Sequence, residues 1–116
     1  MSLYTRLPEI LNGLVDGRVF PIVADQVYDD PYIIIQRVGG SPVNFLTGEA
    51  PEKQSYRIQV TVWAQSALDA ETIGKQVEIA IRSATDLQPE VIAGAADTYD
   101  ETVKRRGSRQ DFRVFC

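Results

Sequence analysis

Apolar residues in the first part of the chain recur with the spacing of an amphipathic helix. The stripe consists of Leu3, Leu7, Ile10, Leu11 and Leu14. Proline at position 8 complicates this pattern, because proline is tolerated only in the first turn of a helix. The sequence therefore predicts either a helix that begins near Leu7 or two short helical turns that meet at Pro8. Gly13 or Gly17 would end the helical segment.

Two extended segments follow this helix. Residues 19–24 read as a short strand, and Pro21 confines it to an edge or a bend because proline cannot donate a hydrogen bond to a neighbouring strand. Tyr32–Val38 is a stronger strand, in which three consecutive isoleucines predict cover on both faces. The acids between them, at positions 25, 29 and 30, match no calcium-loop spacing and are interpreted as solvated loop residues.

A long loop is predicted from Val43 to Lys53, because this segment has turn-forming residues and no hydrophobic period. Phe45 and Leu46 are its two large apolar residues. Two interpretations remain open: these side chains fold back onto the domain, or they wait for a partner. The same features predict that residues 43–53 are the least ordered part of the isolated protein.

Residues 54–65 alternate between apolar and polar side chains, which is the pattern of a strand with one buried face. The apolar positions are Tyr56, Ile58, Val60, Val62 and Ala64. Arg57 and Trp63 belong to the opposite, mostly polar face. For Trp63 the pattern leaves local packing and a protein interface equally open, since aromatic residues serve both purposes.

The next segment carries the strongest helix signal in the chain. Ser66 can cap its N-terminus, and an apolar stripe follows. The stripe consists of Ala70, Ile73, Val77, Ala80, Ile81 and Ala84. Glu71 with Lys75 and Glu78 with Arg82 form pairs on the solvent side. We expect this helix to lie on the sheet and to place Ile73, Val77 and Ile81 against the apolar side of residues 56–62.

The C-terminal part predicts a hairpin, with a weaker strand over Val91–Val103, a turn at Lys104–Gly107 and a last strand over Arg109–Cys116. The order of elements is typical of the α+β class. We therefore predict a single domain over residues 1–116, with an antiparallel sheet of about four strands and helices packed on one face.

The amino-acid composition limits the catalytic and metal-binding functions that the chain can have. The chain of 116 residues has 12 Lys and Arg against 16 Asp and Glu, a net charge of −4, and no histidine. The usual general base and metal ligand are therefore missing, and the only cysteine is Cys116. The acidic balance disfavours binding to nucleic acid, and the basic residues 104–109 are interpreted as a solvated turn. We expect no catalytic residue, no cofactor and no metal.

The residues give less support to two other function classes, a hydrolase and a small-ligand module. A hydrolase with paired carboxylates would have to use Asp97, Asp100 and Glu101, whose spacing is that of solvated hairpin acids. A bacterial α+β module that binds a small ligand would need polar groups converging in an apolar cleft, and the sequence offers none that can be named. The chain also has no apolar run long enough to span a membrane and no signal-peptide pattern, so the cytoplasm is the expected compartment.

Several stretches together resemble the tail completion proteins of long-tailed bacteriophages and prophages. They are DPYIIIQR at positions 30–37, the loop with Gly48, YRIQVTVWA at 56–64, the helix after it, and the ending RQDFRVFC. The resemblance covers nearly the whole chain. Pro8 and Pro21 depart from the family pattern.

The resemblance implies a structural role without enzymatic activity. It implies a ring, with a hexamer as one arrangement, that caps the tail tube, ends its polymerisation and joins the tail to the head. The implied partners are further copies of the chain, the tail tube protein and the head completion protein, with DNA only passing through the pore. We expect Phe45, Leu46, Arg57 and Trp63 to contact these partners, because aromatic and arginine side chains supply much of the energy of protein interfaces.

Overall fold

The structure is a computed structural model that describes residues 2–23, 30–40, 46–48 and 53–116. Within these residues the chain forms two α-helices and five strands. The helices are α1 (Leu3–Leu11) and α2 (Ala67–Ser83), and the strands are β1 (Val19–Pro21), β2 (Tyr32–Arg37), β3 (Ser55–Ala64), β4 (Glu90–Asp100) and β5 (Arg105–Phe115). The predicted α+β class is confirmed.

The five strands form one sheet in the order β1-β2-β3-β5-β4. All neighbouring strands are antiparallel except β1 and β2, which are parallel. The sheet is thus mixed and has one strand more than the predicted four. In the parallel pair, Val19–Pro21 lies beside Ile33–Ile35. Hydrogen bonds from Ile33 N to Arg18 O (2.9 Å) and from Ile22 N to Ile35 O (2.7 Å) hold it there.

Helix α1 continues through Pro8, so the prediction of a start near Leu7 or of two abutting turns was wrong. The helix begins at Leu3, where the Ser2 hydroxyl accepts a hydrogen bond from Tyr4 N. A proline inside a helix costs about 3 kcal/mol. Leu3, Leu7 and Leu11 are all buried, and each contributes about 1.5–3 kcal/mol. The burial of this stripe therefore outweighs the cost of the proline.

The hydrophobic core lies between the two helices and one face of the sheet. Ile58, Val60 and Val62 of β3 belong to the same buried cluster as Val77 and Ile81 of α2, as predicted. Tyr56 and Ile73 are only partly buried and pack at the margin of this cluster.

Helix α2 packs closely against β5 at Gly74. A Cβ atom at this position would lie 2.8 Å from Ser108 Oγ, so only glycine leaves enough room. Next to this contact, the buried Gln110 side chain donates a hydrogen bond from Nε2 to the Gly74 carbonyl at 2.7 Å. The core thus includes one polar tie between helix and sheet.

The hairpin of β4 and β5 turns earlier than the sequence indicated. The turn occupies residues 101–104, and the Asp100 carboxylate accepts hydrogen bonds from Thr102 N (2.9 Å) and Val103 N (3.4 Å). Gly107 therefore lies within β5, opposite Trp63. A Cβ atom there would come within 2.9 Å of the Trp63 ring. This glycine serves the close approach of an aromatic ring and not the predicted turn.

Candidate interaction surface on the helix-free sheet face

The side chains of β3 divide as the alternation predicted. Arg57 and Trp63 lie on the face of the sheet opposite the helices, which we call the helix-free face. On this face Trp63 is opposite Tyr32, and Thr61 is opposite Ile34. Ile33 and Ile35 are fully buried on the other side, whereas Ile34 is only partly covered. The predicted cover on both faces is thus complete on the helix side and partial at Ile34, over which no helix of the described chain lies.

A groove runs along the helix-free face, with a volume of about 520 Å³. We call it the Trp63 groove. Its apolar lining consists of Ile22, Val23, Tyr32, Ile34, Trp63 and Val103. Ile22 and Val23 are 55% and 61% exposed, although their side chains are aliphatic. This apolar area in water is the kind of surface that proteins use to bind other proteins.

Arg57 is partly committed to an interaction within the chain. Its Nη2 and Nε donate to Asp111 Oδ2 at 2.7 and 2.9 Å. The Asp111 side chain is 12% exposed and that of Arg57 is 45% exposed. Gln59 Nε2 makes a further, longer contact with Asp111 Oδ1 at 3.4 Å. The guanidinium therefore neutralises a mostly buried carboxylate and still presents one side to solvent.

Arg109 is a second charged residue of this face, and the sequence analysis did not single it out. It lines the Trp63 groove, is exposed, and lies opposite Thr61. In the described part of the chain no ion pair involves Arg109, whereas Asp100, the acid of the groove, caps the hairpin turn. Only the register of β5 against β3 reveals its position, because the local sequence places it in a run of charged residues.

In that run Lys104, Arg106 and Arg109 are exposed, as the sequence predicted, whereas Arg105 is not solvated. Arg105 Nε donates to Asp30 Oδ1 at 2.7 Å, and both side chains are largely buried. Arg106 lies over the Tyr99 ring, 5.1 Å from its centroid. Asp30 is likewise not a solvated loop acid, since its carboxylate faces Arg105; Asp25 and Asp29 lie outside the described residues. Arg105 and Asp30 are largely buried because the fold brings Asp30 beside the start of β5, 75 positions later in the chain.

Tyr32 closes one end of the groove beside this ion pair. Burial raises the pKa of Tyr32, the Asp30 charge raises this pKa further, and Arg105 opposes the shift. The phenol is therefore neutral at physiological pH. The groove thus has a neutral aromatic end at Tyr32 and Trp63, and a cation at Arg109.

The remaining predicted contact residues come from the loop between β2 and β3. Leu46 is fully exposed, and Phe45 lies outside the described residues. The chain leaves β2 beside Arg57, whose N donates to Gly39 O at 2.7 Å. Trp63 lies six positions further along β3, about 20 Å away at the usual rise of a strand. The Trp63 groove reaches from Trp63 to Gln59, two positions from Arg57, so its other end approaches the sheet end to which the loop is attached.

Three further features of the described residues are the arrangement of possible metal ligands, the state of the thiol and the lengths of the helices. No group of three or more Cys, Asp or Glu side chains among them is arranged to hold a metal ion. Burial raises the pKa of the Cys116 thiol, which keeps it protonated at neutral pH. Within the same residues, no helix has the length and apolar character that crossing a membrane requires.

These features define a small α+β protein whose sheet has one face covered by helices and a second face, with an apolar groove, over which no described helix lies. A family profile described as "Tail completion protein gp17" matches residues 2–116, nearly the whole chain. The chain therefore belongs to this family of phage tail completion proteins. A search of curated proteins found no match to the chain. The family match confirms the resemblance found in the sequence and places the protein among components of the phage tail.

Proposed function

We propose that this protein forms a ring that caps the finished tail tube, ends its polymerisation and joins the tail to the head. The family match over residues 2–116 is the observation that carries this proposal. The protein assembles in the host cytoplasm and ends at the junction of tail and head. Its role is structural and requires no catalytic group.

The distribution of surfaces supports a ring. A closed ring of identical subunits requires two different, complementary patches on each subunit. The open sheet face with Trp63 and Arg57 offers one patch, and the loop with Phe45 and Leu46 offers another. Further copies of the chain, the tail tube protein and the head completion protein are the proposed partners.

The net charge also suits this position. At −4 the chain carries an excess of carboxylates, which do not neutralise DNA phosphates and release no counterions. DNA can therefore pass through the proposed pore without binding to its wall.

A small-ligand module, which would bind its ligand in a cleft between helix and sheet, is less well supported. Val60, Val62, Val77 and Ile81 fill this layer and are fully buried. The Gln110 amide, a buried polar group of the layer, donates to the Gly74 carbonyl. The middle of the described helix-sheet layer is thus packed and holds no cleft. A cleft with polar lining lies at the end of the layer, between the start of α2 and the sheet, where Arg18, Asp30 and Asp69 contribute to it.

Deletion of the gene in the parent phage, with the protein supplied from a plasmid, tests the proposal. We expect the deletion to give abnormally long tails and unjoined heads in electron micrographs, and the wild-type protein to restore both. A variant at an exposed position of α2, Gln76→Ala, is the matched control and should restore them equally. Tails of normal length joined to heads in the deletion phage would refute the proposal.

A further inference from the structure

Helix α2 carries two large aliphatic side chains on the side that points away from the sheet. Leu68 and Ile79 are 70% and 66% exposed. They are eleven positions apart, which is close to three full turns, so they lie on the same side of the helix and about 16 Å apart. The opposite side of α2 supplies its core contacts. We call the exposed residues Leu68, Glu71, Lys75 and Ile79 the outward row of α2.

The Trp63 groove, on the other side of the subunit, lacks cover for its apolar lining. Ile22 and Val23 are more than half exposed, and Ile34 is partly exposed. Because a sheet buries its apolar face against helices or a second sheet, a helix with an aliphatic row suits this groove. The chain's own α2 cannot reach it, since α2 contacts Ser108 on one face of the sheet and Arg109 points to the other face. The α2 helix of a second copy can.

The groove is about as long as the outward row. Gln59 and Trp63, which both line it, are four positions apart on β3, or about 13 Å. Val103 extends the groove beyond Trp63, because the hairpin turn lies past the end of β3. Ile22 N donates to Ile35 O at 2.7 Å, which places Ile22 at the Gln59 end. A helix that lies along the groove can therefore place one aliphatic side chain at each end.

The charges of the outward row are complementary to those of the groove. Arg109 lies in the middle of the groove and has no ion pair among the described residues, and Asp100 lies near the hairpin turn. On α2, Glu71 and Lys75 pair with each other at 3.2 Å, with side chains that are 60% and 75% exposed. Such an exposed pair contributes little to stability, so both residues can exchange it for partners on a second copy.

The order of these charges indicates the direction of the helix. From its Gln59 end to the hairpin turn, the groove presents a base and then an acid. From Leu68 to Ile79, the outward row presents an acid and then a base, about 6 Å apart. Each charge therefore meets its opposite when Leu68 lies at the Gln59 end.

We propose that α2 of each subunit lies lengthwise in the Trp63 groove of the next subunit, with Glu71 paired to Arg109. Leu68 then lies at the Ile22 end of the groove and Ile79 at the hairpin end. The contact joins opposite sides of the subunit, so it is heterologous, which is the type of contact that builds rings. This inference rests on the proposed ring. It names α2 as the complement of the sheet face and leaves the loop between β2 and β3 for the tail tube or the head.

Charge reversal in the complementation system tests this contact. Arg109→Glu and Glu71→Arg each place like charges together, and we expect each variant alone to lose plaque formation. The double variant Arg109→Glu/Glu71→Arg recreates an opposite pair and should restore plaques. Glu9→Arg on α1 is the matched control and should complement fully, because Glu9 and Glu71 are both 60% exposed and each pairs with a base on its own helix. Thermal unfolding of each purified variant verifies that it is folded.

Rescue by the double variant would show a contact between subunits, because the sheet separates residues 71 and 109 within one chain. Glu71→Arg/Lys53→Glu restores the net charge without restoring the pair, and we expect it to stay defective. Equal rescue by this variant would show that only net charge matters and would overturn the proposal. A double variant Arg109→Glu/Glu71→Arg that stays as defective as the single variants would also refute the pairing.

Ile79→Gln tests the apolar part of the contact without a change in charge. Because Ile79 is mostly exposed in the single subunit, we expect the purified variant to unfold at the wild-type temperature but to form fewer plaques. Gln76→Ala, on the same helix but outside the outward row, should complement fully. Full plaque formation by folded Ile79→Gln would contradict the placement of α2 in the groove.

The remaining outcomes separate this inference from the proposed function. If the deletion phage makes normal tails, the proposed function fails. If the deletion phage is defective and wild-type protein rescues it, but folded Arg109→Glu and Glu71→Arg also rescue it fully, only the proposed contact is refuted.

Discussion

Gly74 in the middle of α2 offers a test in which two physical effects oppose each other. Replacing glycine by alanine inside a helix normally stabilises it by about 1 kcal/mol. In this structure the new Cβ atom would lie 2.8 Å from Ser108 Oγ and 3.3 Å from Ser108 Cβ. Ser108 belongs to a central strand and is buried, so it cannot swing into solvent. Rotation of the Ser108 hydroxyl would relieve the contact with Oγ but not the contact with Cβ, so α2 and β5 must move slightly apart.

The magnitude of the Gly74→Ala effect follows from what this movement disturbs. Overpacking of a core costs about 1–3 kcal/mol. The movement also lengthens the 2.7 Å hydrogen bond from Gln110 to the Gly74 carbonyl, and loss of a buried hydrogen bond costs about 1–3 kcal/mol. These costs exceed the gain in helix propensity, so we expect a net destabilisation of about 1–5 kcal/mol.

Urea unfolding measures this difference. The substitution Ser108→Ala removes the closest contact atom, so the double variant Gly74→Ala/Ser108→Ala should recover part of the loss. We expect the two substitutions to deviate from additivity by at least about 0.5 kcal/mol, since the residues are in contact. A Gly74→Ala protein as stable as the wild type, or more stable, would show that helix propensity dominates and that the described packing of α2 on β5 is wrong.

Three further predictions concern stability and exchange. Val77→Ala or Ile81→Ala should each lower the free energy of unfolding by about 1–4 kcal/mol through lost burial and a residual cavity; a loss below about 0.5 kcal/mol would mean that α2 docks by another face. Backbone amides of residues 43–53 should exchange hydrogen faster than those of β3; equal protection would contradict this. The hydrogen bond from Arg6 lowers the pKa of Asp86 from its ordinary value of 3.8, so the ion pair stabilises the fold above pH 3.8 and this stabilisation is lost as the pH falls through the lowered pKa. Asp86→Asn should therefore reduce the drop in the urea midpoint that acidification causes in the wild type. An equally large drop in Asp86→Asn would refute this prediction.

The elements with strong local signals were predicted well. Ser66 accepts a hydrogen bond from Asp69 N at the start of α2, and the apolar stripe of the helix faces the sheet. The alternation over β3 placed Arg57 and Trp63 on the helix-free face. These predictions succeeded because capping and periodicity involve only neighbouring residues, and the structure satisfies both.

Predictions that depended on distant partners were less successful. Pro8 suggested a break in α1, but burial of the leucine stripe outweighed it. Asp30 and Arg105 were both interpreted as solvated, and they form a largely buried ion pair although they are 75 positions apart. Gly107 suggested a turn, and the close approach of Trp63 explains it instead.

The candidate interaction surface shows the same division. Residue types and alternation identified Trp63 and Arg57 as candidate contact residues on one face of β3. The absence of histidine and the single cysteine can also be read from the sequence. The sequence alone did not show that Arg109 lies in one row with Thr61 and Ile34, because that row joins three strands from separate parts of the chain. Local periodicity determines which face a side chain takes, whereas the pairing of distant strands decides which side chains share that face. Only the tertiary structure therefore forms the Trp63 groove and places Arg109 in its lining.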